Sequence, residues 1–497
     1  MPSTLTTLPQ HRPRIGVVGG GISGLAAARS LLDLIPSAEV VLFEASDHLG
    51  GVLQTEKQNG FLLEHGADNF ITTPSWGVDF FRRLDLETQL LETNSEHRRA
   101  FVVHKGKLQA MPAGFTVMAP SRIWPIATTP ILSLRGKLRM AAELMIPRSV
   151  PDEKESLADF VRRRLGKEVY ERLVQPLIAG IYTGDPEQLS LGATMPRFLQ
   201  MEQDQGSLIR ALWKQQKTQR TTLEQSSGAR YSQFVTPRQG MTDFIQAVSQ
   251  RLRGATILLN APVERMASSP KGWRLSVGGV RRQFFDVDGL VLAIPAHHSS
   301  SLLRSVAGSL AAELGKITYG SCALVSMGFR RNQIGHALNG FGFVVPATEG
   351  RTILSTSFSS IKYPGRAPEG HVLLRTFVGG ACQTEFVDLD DAHLERLVQD
   401  ELADLLAIDG KPVMCHIVRQ KQAMPQYYVG HEAIVRKIEQ QLANHHNLAL
   451  AGNGLQGIGM PSCIHSGELA AQKIVNSLES HSQRNSLDQI ALSTPMT

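Results

Sequence analysis

The sequence predicts an α/β fold whose first unit is a parallel sheet flanked by helices. Three observations carry that prediction. The apolar run RIGVV at residues 14–18 leads directly into the glycine cluster GGGISG at 19–24 and then into the helical stretch LAAARSLLDL. A second apolar run, EVVLFEAS, begins at Glu39 and completes a strand–helix–strand unit. Near the other end, NLALAG at 447–452 is again a strand, followed by a glycine-rich turn and the helical segment SGELAAQKIVNSL.

Size and composition bound the rest. At about 150 residues per domain, a chain of 497 residues allows roughly three domains. Hydrophobic residues make up 42% and charged residues 19%, a globular balance that excludes a disordered or fibrous chain. The four cysteines (Cys322, Cys382, Cys415 and Cys463) never form CxxC, so neither a disulfide framework nor a zinc site is expected, and a reducing, cytoplasmic setting fits. The start, MPSTLTTLPQHRP, lacks the apolar core of a secretory signal. No run of 18 apolar residues occurs, so no spanning helix is expected.

The elements follow in order. In DEKESLADFVRRRLGKEVYERLV, Leu157, Phe160, Val161, Leu165, Val169 and Leu173 recur at helical steps, and Ser156 with Asp159 resembles a capping box. Short strands follow between 255 and 295 (ATILL, WRLSV, FFDVDGLVLAI), then at 322–329, 341–346, 352–358 and 372–378. A helix is expected over 391–407, and flexible termini over 1–13 and 480–497.

Gly19, Gly21 and Gly24 fit GxGxxG. The first glycine permits a tight turn, the second the approach of a pyrophosphate, and the third close helix–strand packing. Glu44, at the end of the second strand and 20 residues past Gly24, can accept hydrogen bonds from ribose hydroxyls and disfavours a 2′-phosphate. This is a Rossmann-like dinucleotide site. The second glycine pair, Gly50-Gly51, and the terminal AGNGLQGIGMPSC (451–463) favour the longer FAD over NAD.

The stretches GGGISGLAAA, HLGGVLQTE, GFLLEHGADNF, PLIAGIYTGDPEQLSL, MPQYYVGH and GNGLQGIGMPSCIHSGE together resemble the FAD-dependent porphyrinogen oxidases, within the flavin amine oxidase superfamily. The similarity runs from about residue 14 to 478, and PLIAGIYTGDP and GIGMPSCIHSG are its most specific parts. It implies a discontinuous FAD-binding domain (14–75, 235–300 and 425–478) and a mixed-sheet substrate-binding domain (76–98 and 301–424). It also implies a helical insertion domain (99–234) that docks on membranes. It implies six-electron oxidation of a porphyrinogen, coproporphyrinogen III or protoporphyrinogen IX, in haem biosynthesis, with molecular oxygen as acceptor and hydrogen peroxide as product.

Carried over by position, non-covalent FAD would be held by Gly19, Gly20, Gly21, Ile22, Ser23, Gly24, Glu44 and Ala45, and by Gly50, Gly51 and Val52. Gly66, Ala67, Asp68, Val263, Ile458, Gly459 and Met460 would complete its site. Leu177, Gly180, Phe341, Val344 and Phe377 would wall the substrate pocket, and Arg98 or Arg99 would meet a propionate. Family members often carry tryptophan where this chain has Glu432, and their propionate arginine is displaced by about one position here. No acid–base pair is required and no metal is expected; His431 and His465 are read as structural. Two other readings stand beside this one. One is a flavin amine oxidase or desaturase with another substrate, which the seven tyrosines of the chain do not favour. The other is a basic, membrane-peripheral binding protein with a structural flavin.

The net charge of +6 is regional. Residues 97–140 hold Arg98, Arg99, Lys105, Lys107, Arg122, Arg135, Lys137 and Arg139 and no acid. Apolar stretches between these cations suit anionic lipid on the inner face of a membrane, or an anionic substrate mouth. No nucleic-acid-binding module accompanies them, and the oligomeric state is left open.

Overall fold

The computed structural model describes residues 12–116, 118–120, 122–223, 234–270 and 272–493. Its first sheet has five parallel strands in the order Ala255–Leu258, Glu39–Phe43, Arg14–Val18, Gly289–Leu292 and Leu448–Leu450. Both faces are covered, which is why these strands read as continuous apolar runs. Ile15, Val17, Val40 and Leu42 pack against the helices Ile22–Leu34 and Met460–Ser493. The alternate residues Val18, Val41 and Phe43 pack on Trp273 and Leu275 of a three-stranded antiparallel sheet. The run FFDVDGLVLAI, expected as one strand, is two. Gln283–Val287 pairs antiparallel with Gly272–Val277, and Gly289–Leu292 joins the parallel sheet.

The second large sheet has seven strands: Met414–Pro425, Tyr319–Arg330, His371–Gly379, Ile353–Phe358, Gly342–Val344, Phe101–His104 and Lys107–Ala110. It is mixed, as expected: Gly342–Val344 and Phe101–His104 run parallel, whereas the other neighbours are antiparallel. One face packs on the helix Asp391–Leu406 through Ala323, Val325, Phe343, Leu374 and Val378. Period-two alternation turns Val344, Ser355, Phe377 and Leu324, which lie directly opposite one another, to the other face.

Two expected boundaries move. Residues 101–110, expected in the helical part, form two strands of this sheet, because Phe101 and Val103 add to its core. The helix Trp76–Arg83, expected with the substrate-binding part, packs on the parallel-sheet unit, since Phe81 stacks on Phe244 at 4.0 Å and on Phe70 at 5.4 Å.

The helical part has its own core between residues 102 and 212. The Ser156 hydroxyl caps the helix Leu157–Leu165, accepting from the Asp159 N–H at 3.1 Å and donating to its carboxylate at 2.8 Å. The helix expected to run on through Leu173 breaks at Gly166, whose φ of +94° suits only glycine. The chain resumes at Lys167, widens to a π turn over Tyr170–Val174 and continues as Gln175–Tyr182. Pro176 has no N–H to donate back, which fits the irregular turn just before it.

The tail after residue 480, expected to lack regular structure, is helical to Ser493. Residues 481–493 hold neither glycine nor proline, so nothing in them interrupts the helix. Residues 1–11 and 494–497 lie outside the described residues. Among the described residues no helix is long and apolar enough to cross a membrane.

Candidate active site

The glycine turn sits at the carboxyl end of the central parallel strand. Gly19 has φ +105°, and a Cβ there would lie 2.5 Å from the Ala293 carbonyl oxygen. A Cβ on Gly24 would overlap the Gly19 carbonyl oxygen, so helix and strand close up only with glycine. Gly21 is the N-cap of Ile22–Leu34. No side chain caps this helix, and a Cβ on Gly21 would meet nothing within 4 Å. An uncapped helix start beside open space at Gly21 is an arrangement that suits a phosphate.

Glu44 is fixed beside this turn. The Gly20 N–H donates to its Oε2 at 2.6 Å, and the Ser46 N–H and hydroxyl donate to Oε1, each at 2.8 Å. Oε2, with one donor, keeps a lone pair for a further hydrogen bond, whereas Oε1 already accepts two. Ala45 is exposed next to it, and Val263 is brought close because the Ala261 N–H donates to the Glu44 carbonyl at 2.8 Å. Gly50 pairs with Gly21, its N–H donating to the Gly20 carbonyl at 2.9 Å, so the second glycine pair does lie against the first. Gly51 has φ +59°, Val52 is half exposed, and Gly66 packs so tightly on the Val52 carbonyl that a Cβ would overlap it.

The terminal segment closes on the same place. Gly467 of the last helix is so close to the Ser23 carbonyl that a Cβ would overlap it, which anchors Ile458, Gly459 and Met460 beside the glycine turn. Met460 is buried in the core under the first helix, whereas Ile458 packs on the helical core. Gly452 has φ +125° with nothing within 4 Å of a Cβ, and Gly459 meets only Pro461 at 3.7 Å. His431 is structural. It stacks on Tyr427 at 4.2 Å, its Nε2 lies 2.9 Å from the Leu455 carbonyl oxygen, and burial holds it below the usual histidine range. His465 stacks on Trp76 at 4.0 Å. Burial pushes the Cys463 thiol up to about 11, so it stays protonated at neutral pH.

The open face of the seven-stranded sheet supplies the second wall. Val344, Ser355 and Phe377 lie side by side on it, and Gly180 comes against them, its Cβ position 3.6 Å from Val344 Cγ1 and Ser355 Oγ. Leu177 is half-buried on the same helix as Gly180, and Phe341 precedes the Gly342–Val344 strand. The arginines expected at this wall, Arg98 and Arg99, are both exposed. Arg98 is exposed and 4.0 Å from Glu92, and Arg99 is exposed at the sheet edge, where its carbonyl accepts from the Phe341 N–H.

Arg375 stands on the open face instead, two residues before Phe377 and 4% exposed. It donates to the Gly66 carbonyl, lies 3.7 Å from the Asp68 carboxylate and sits 4.8 Å over the Phe377 ring. Its Nε is buried without a hydrogen-bond partner. Lys362 approaches Asp68 at 4.0 Å. Burial raises the Asp68 carboxyl, but Lys362 and Arg375 outweigh it and hold the group below its ordinary value; burial likewise lowers Lys362. Sequence reasoning missed Arg375 and Lys362. The RTF triplet was the available signal, since alternation puts its arginine and phenylalanine on one face.

The sequence model of a family described as flavin containing amine oxidoreductase matches residues 22–475. The chain belongs to that family. This flavin oxidoreductase is 31% identical to coproporphyrinogen III oxidase of Bacillus subtilis (strain 168), over 92% of this chain and 97% of that one. It is 30% identical to protoporphyrinogen oxidase 1, chloroplastic, of Arabidopsis thaliana, over 93% and 87% of the two chains. A crystal structure of a provisionally assigned protoporphyrinogen oxidase from Exiguobacterium sp. 255-15 superposes with a TM-score of 0.81 at 28% identity, covering 95% of this chain and all of that one. Cyclohexylamine oxidase of Brevibacterium oxydans IH-35A, at 17% identity and a TM-score of 0.67, shares the fold alone. The site fits a flavin nucleotide: Gly21 and Gly452 present backbone to open space, and both carboxylate oxygens of Glu44 are held in place next to the turn.

Glu432, at the position where a tryptophan was expected, is turned to the helical part, where the Ser190 hydroxyl donates to its Oε1 at 2.7 Å.

Proposed function

We propose that this flavoprotein holds FAD non-covalently and oxidises a porphyrinogen to the porphyrin in haem biosynthesis. The observation that carries the reading is the open sheet face, where apolar side chains and one buried arginine stand together opposite the glycine-lined nucleotide site. It is supported by relatives named for porphyrinogen oxidation that match over nearly the whole chain.

In this reading the FAD-binding domain is built from 14–75, 235–300 and 425–478, with the helix Trp76–Arg83 added to the first piece. The helix N-terminus at Gly21 holds the pyrophosphate, Glu44 the ribose, Val263 the adenine side, and Ile458, Gly459 and Met460 the ring end. Bound there, FAD would supply two-electron oxidation, so six-electron oxidation of the macrocycle would take three rounds, with three molecules of oxygen reduced to hydrogen peroxide. The chain's own part is to bind, orient and keep water out. Gly180, Leu177, Phe341, Val344 and Phe377 offer an apolar slot for a flat macrocycle. Arg375 supplies a positive charge at the slot for a propionate. No acid–base side chain is needed, and the protonated Cys463 is a poor nucleophile for a covalent flavin link.

The basic, acid-free window gives the protein a docking face on an anionic membrane, from the cytoplasmic side. Ile123, Trp124, Leu134 and Leu138 are exposed there, Trp124 by 76%, next to Arg122, Arg135 and Lys137, and Met145 just beyond the window is exposed by 86%. Arg139 is taken up internally, donating to the carbonyls of Arg162, Arg163 and Arg164.

Aerobic turnover of coproporphyrinogen III, with four carboxylates, and protoporphyrinogen IX, with two, is the test. Porphyrin fluorescence that grows faster than the uncatalysed rate with one of them supports the reading. Growth with neither, by a protein that carries its flavin, overturns it.

A further inference from the structure

Glu56, His65 and His416 are far apart in sequence and share no metal-binding spacing, yet the fold brings them to one point. Glu56 is on the strand Thr55–Gln58, His65 follows the strand Phe61–Glu64, and His416 is on the edge strand Met414–Pro425 of the seven-stranded sheet. Glu56 Oε2 lies 3.4 Å from His65 Nε2 and 3.7 Å from His416 Nε2, and the three atoms are all within 4.8 Å of one another. The two imidazole rings stack at 5.0 Å.

Both Nε2 atoms are buried and make no hydrogen bond, an unusual state for two polar atoms aimed at one carboxylate. The backbone holds them there. The His65 N–H donates to the Gln54 carbonyl, and Gln420, four residues along the strand from His416, donates through Nε2 to the His65 carbonyl, each at 2.9 Å. Ligands at about 2.0–2.2 Å from a tetrahedral zinc ion stand roughly 3.3–3.6 Å apart, close to the two separations seen here. Arg375, two strands away on the same face, contacts Gly66 and Asp68.

We propose that Glu56, His65 and His416 form a binding site for a first-row divalent transition-metal ion, with water completing its coordination. Two imidazoles and one carboxylate suit zinc and its neighbours rather than magnesium or calcium, which prefer all-oxygen sets. The ion ties the Thr55–Gln58 and Phe61–Glu64 hairpin to the edge of the seven-stranded sheet. The site stands apart from the porphyrinogen reading and does not depend on it.

The test is equilibrium dialysis of the untagged, flavin-loaded protein, stripped with chelator, against zinc ion, with metal content read by elemental analysis. The expected result is one zinc per chain. Glu56→Gln and His416→Gln, shown to be folded by circular dichroism, are expected to bind at least about 100-fold more weakly. Failure of the unsubstituted protein to take up stoichiometric zinc, or uptake unchanged in both variants, overturns the proposal.

Discussion

Glu44 does two jobs with one carboxylate. It fixes the glycine turn through the Gly20 N–H, and in the proposed reading it also holds the ribose. Charged hydrogen bonds are worth about 1.5–3 kcal/mol each, so Glu44→Ala is expected to weaken FAD binding about 10- to 100-fold. Fluorescence titration of the apoprotein with FAD checks this. Arg375→Ala takes from the Asp68 carboxylate one of its two cationic partners, leaving Lys362 and the Asn69 amide, and frees the Gly66 carbonyl. Breaking a buried pair in this way costs on the order of 3 kcal/mol or more, so a clear fall in melting temperature is expected in differential scanning calorimetry. The two residues also mark what sequence reading can reach. The glycine turn and Glu44 were legible because their chemistry is local: a strand, a turn and a helix within about one β-α-β unit. Arg375 was not, because its role depends on the pairing of His371–Gly379 with Tyr319–Arg330, where Arg375 lies opposite Ser326, and on the distant loop that carries Gly66. Arg98 and Arg99, chosen from a motif position, lie just before the Phe101–His104 strand and are exposed, Arg98 4.0 Å from Glu92.

Among the elements, the last helix is the one that completes the site. Its Gly467 lets it lie on the amino end of the first helix at Ser23. Gly467→Leu is expected to push the two helices apart and to yield protein with most of its flavin lost, read as the ratio of flavin to protein absorbance; full flavin content contradicts this packing role. Gly166 is the second critical glycine. At φ +94°, with Arg139 Cγ 2.6 Å from a Cβ position, Gly166→Ala is strained, and a loss of about 1–3 kcal/mol is expected, measurable as a lower melting temperature. The helix Leu157–Leu165 itself was readable from its apolar spacing and its cap. Its end was not, because Val169 and Leu173 keep the helical spacing across the break and only the backbone angle of Gly166 reveals it. The strands over 101–110 were hidden in a similar way. They lie inside a stretch whose prolines and cations read as an insertion, and their partners come from residues 342–344.

At the scale of the whole molecule, two features remain outside the redox site. The helical part is centred on a buried ion network, in which Arg164, with no exposed surface, meets Glu143 and Glu202, and Arg163 meets Glu202 at 2.8 Å. Burial raises the Glu202 carboxyl, but the hydrogen bond from Arg163 and the neighbouring charges outweigh it and hold the group below its ordinary value of 4.5. A carboxyl depressed in the folded state stabilises above its unfolded value and loses that contribution as pH falls through the folded value. The melting temperature is therefore expected to decline below about pH 4.5, and to decline less steeply in Glu202→Gln. The second feature is the apolar and basic face around Trp124. Trp124→Glu with Leu138→Glu is expected to abolish co-sedimentation with vesicles of anionic lipid while flavin content stays unchanged; sedimentation equal to that of the unsubstituted protein contradicts the docking face.

The central claim is that a porphyrinogen delivers electrons to the flavin held between the parallel sheet and the open face of the mixed sheet. Anaerobic rapid mixing of the flavin-loaded protein with coproporphyrinogen III, and separately with protoporphyrinogen IX, tests it most directly. The account predicts that the oxidised flavin absorbance bleaches with at least one of them and returns when oxygen is admitted. A flavin that stays oxidised with both would contradict it.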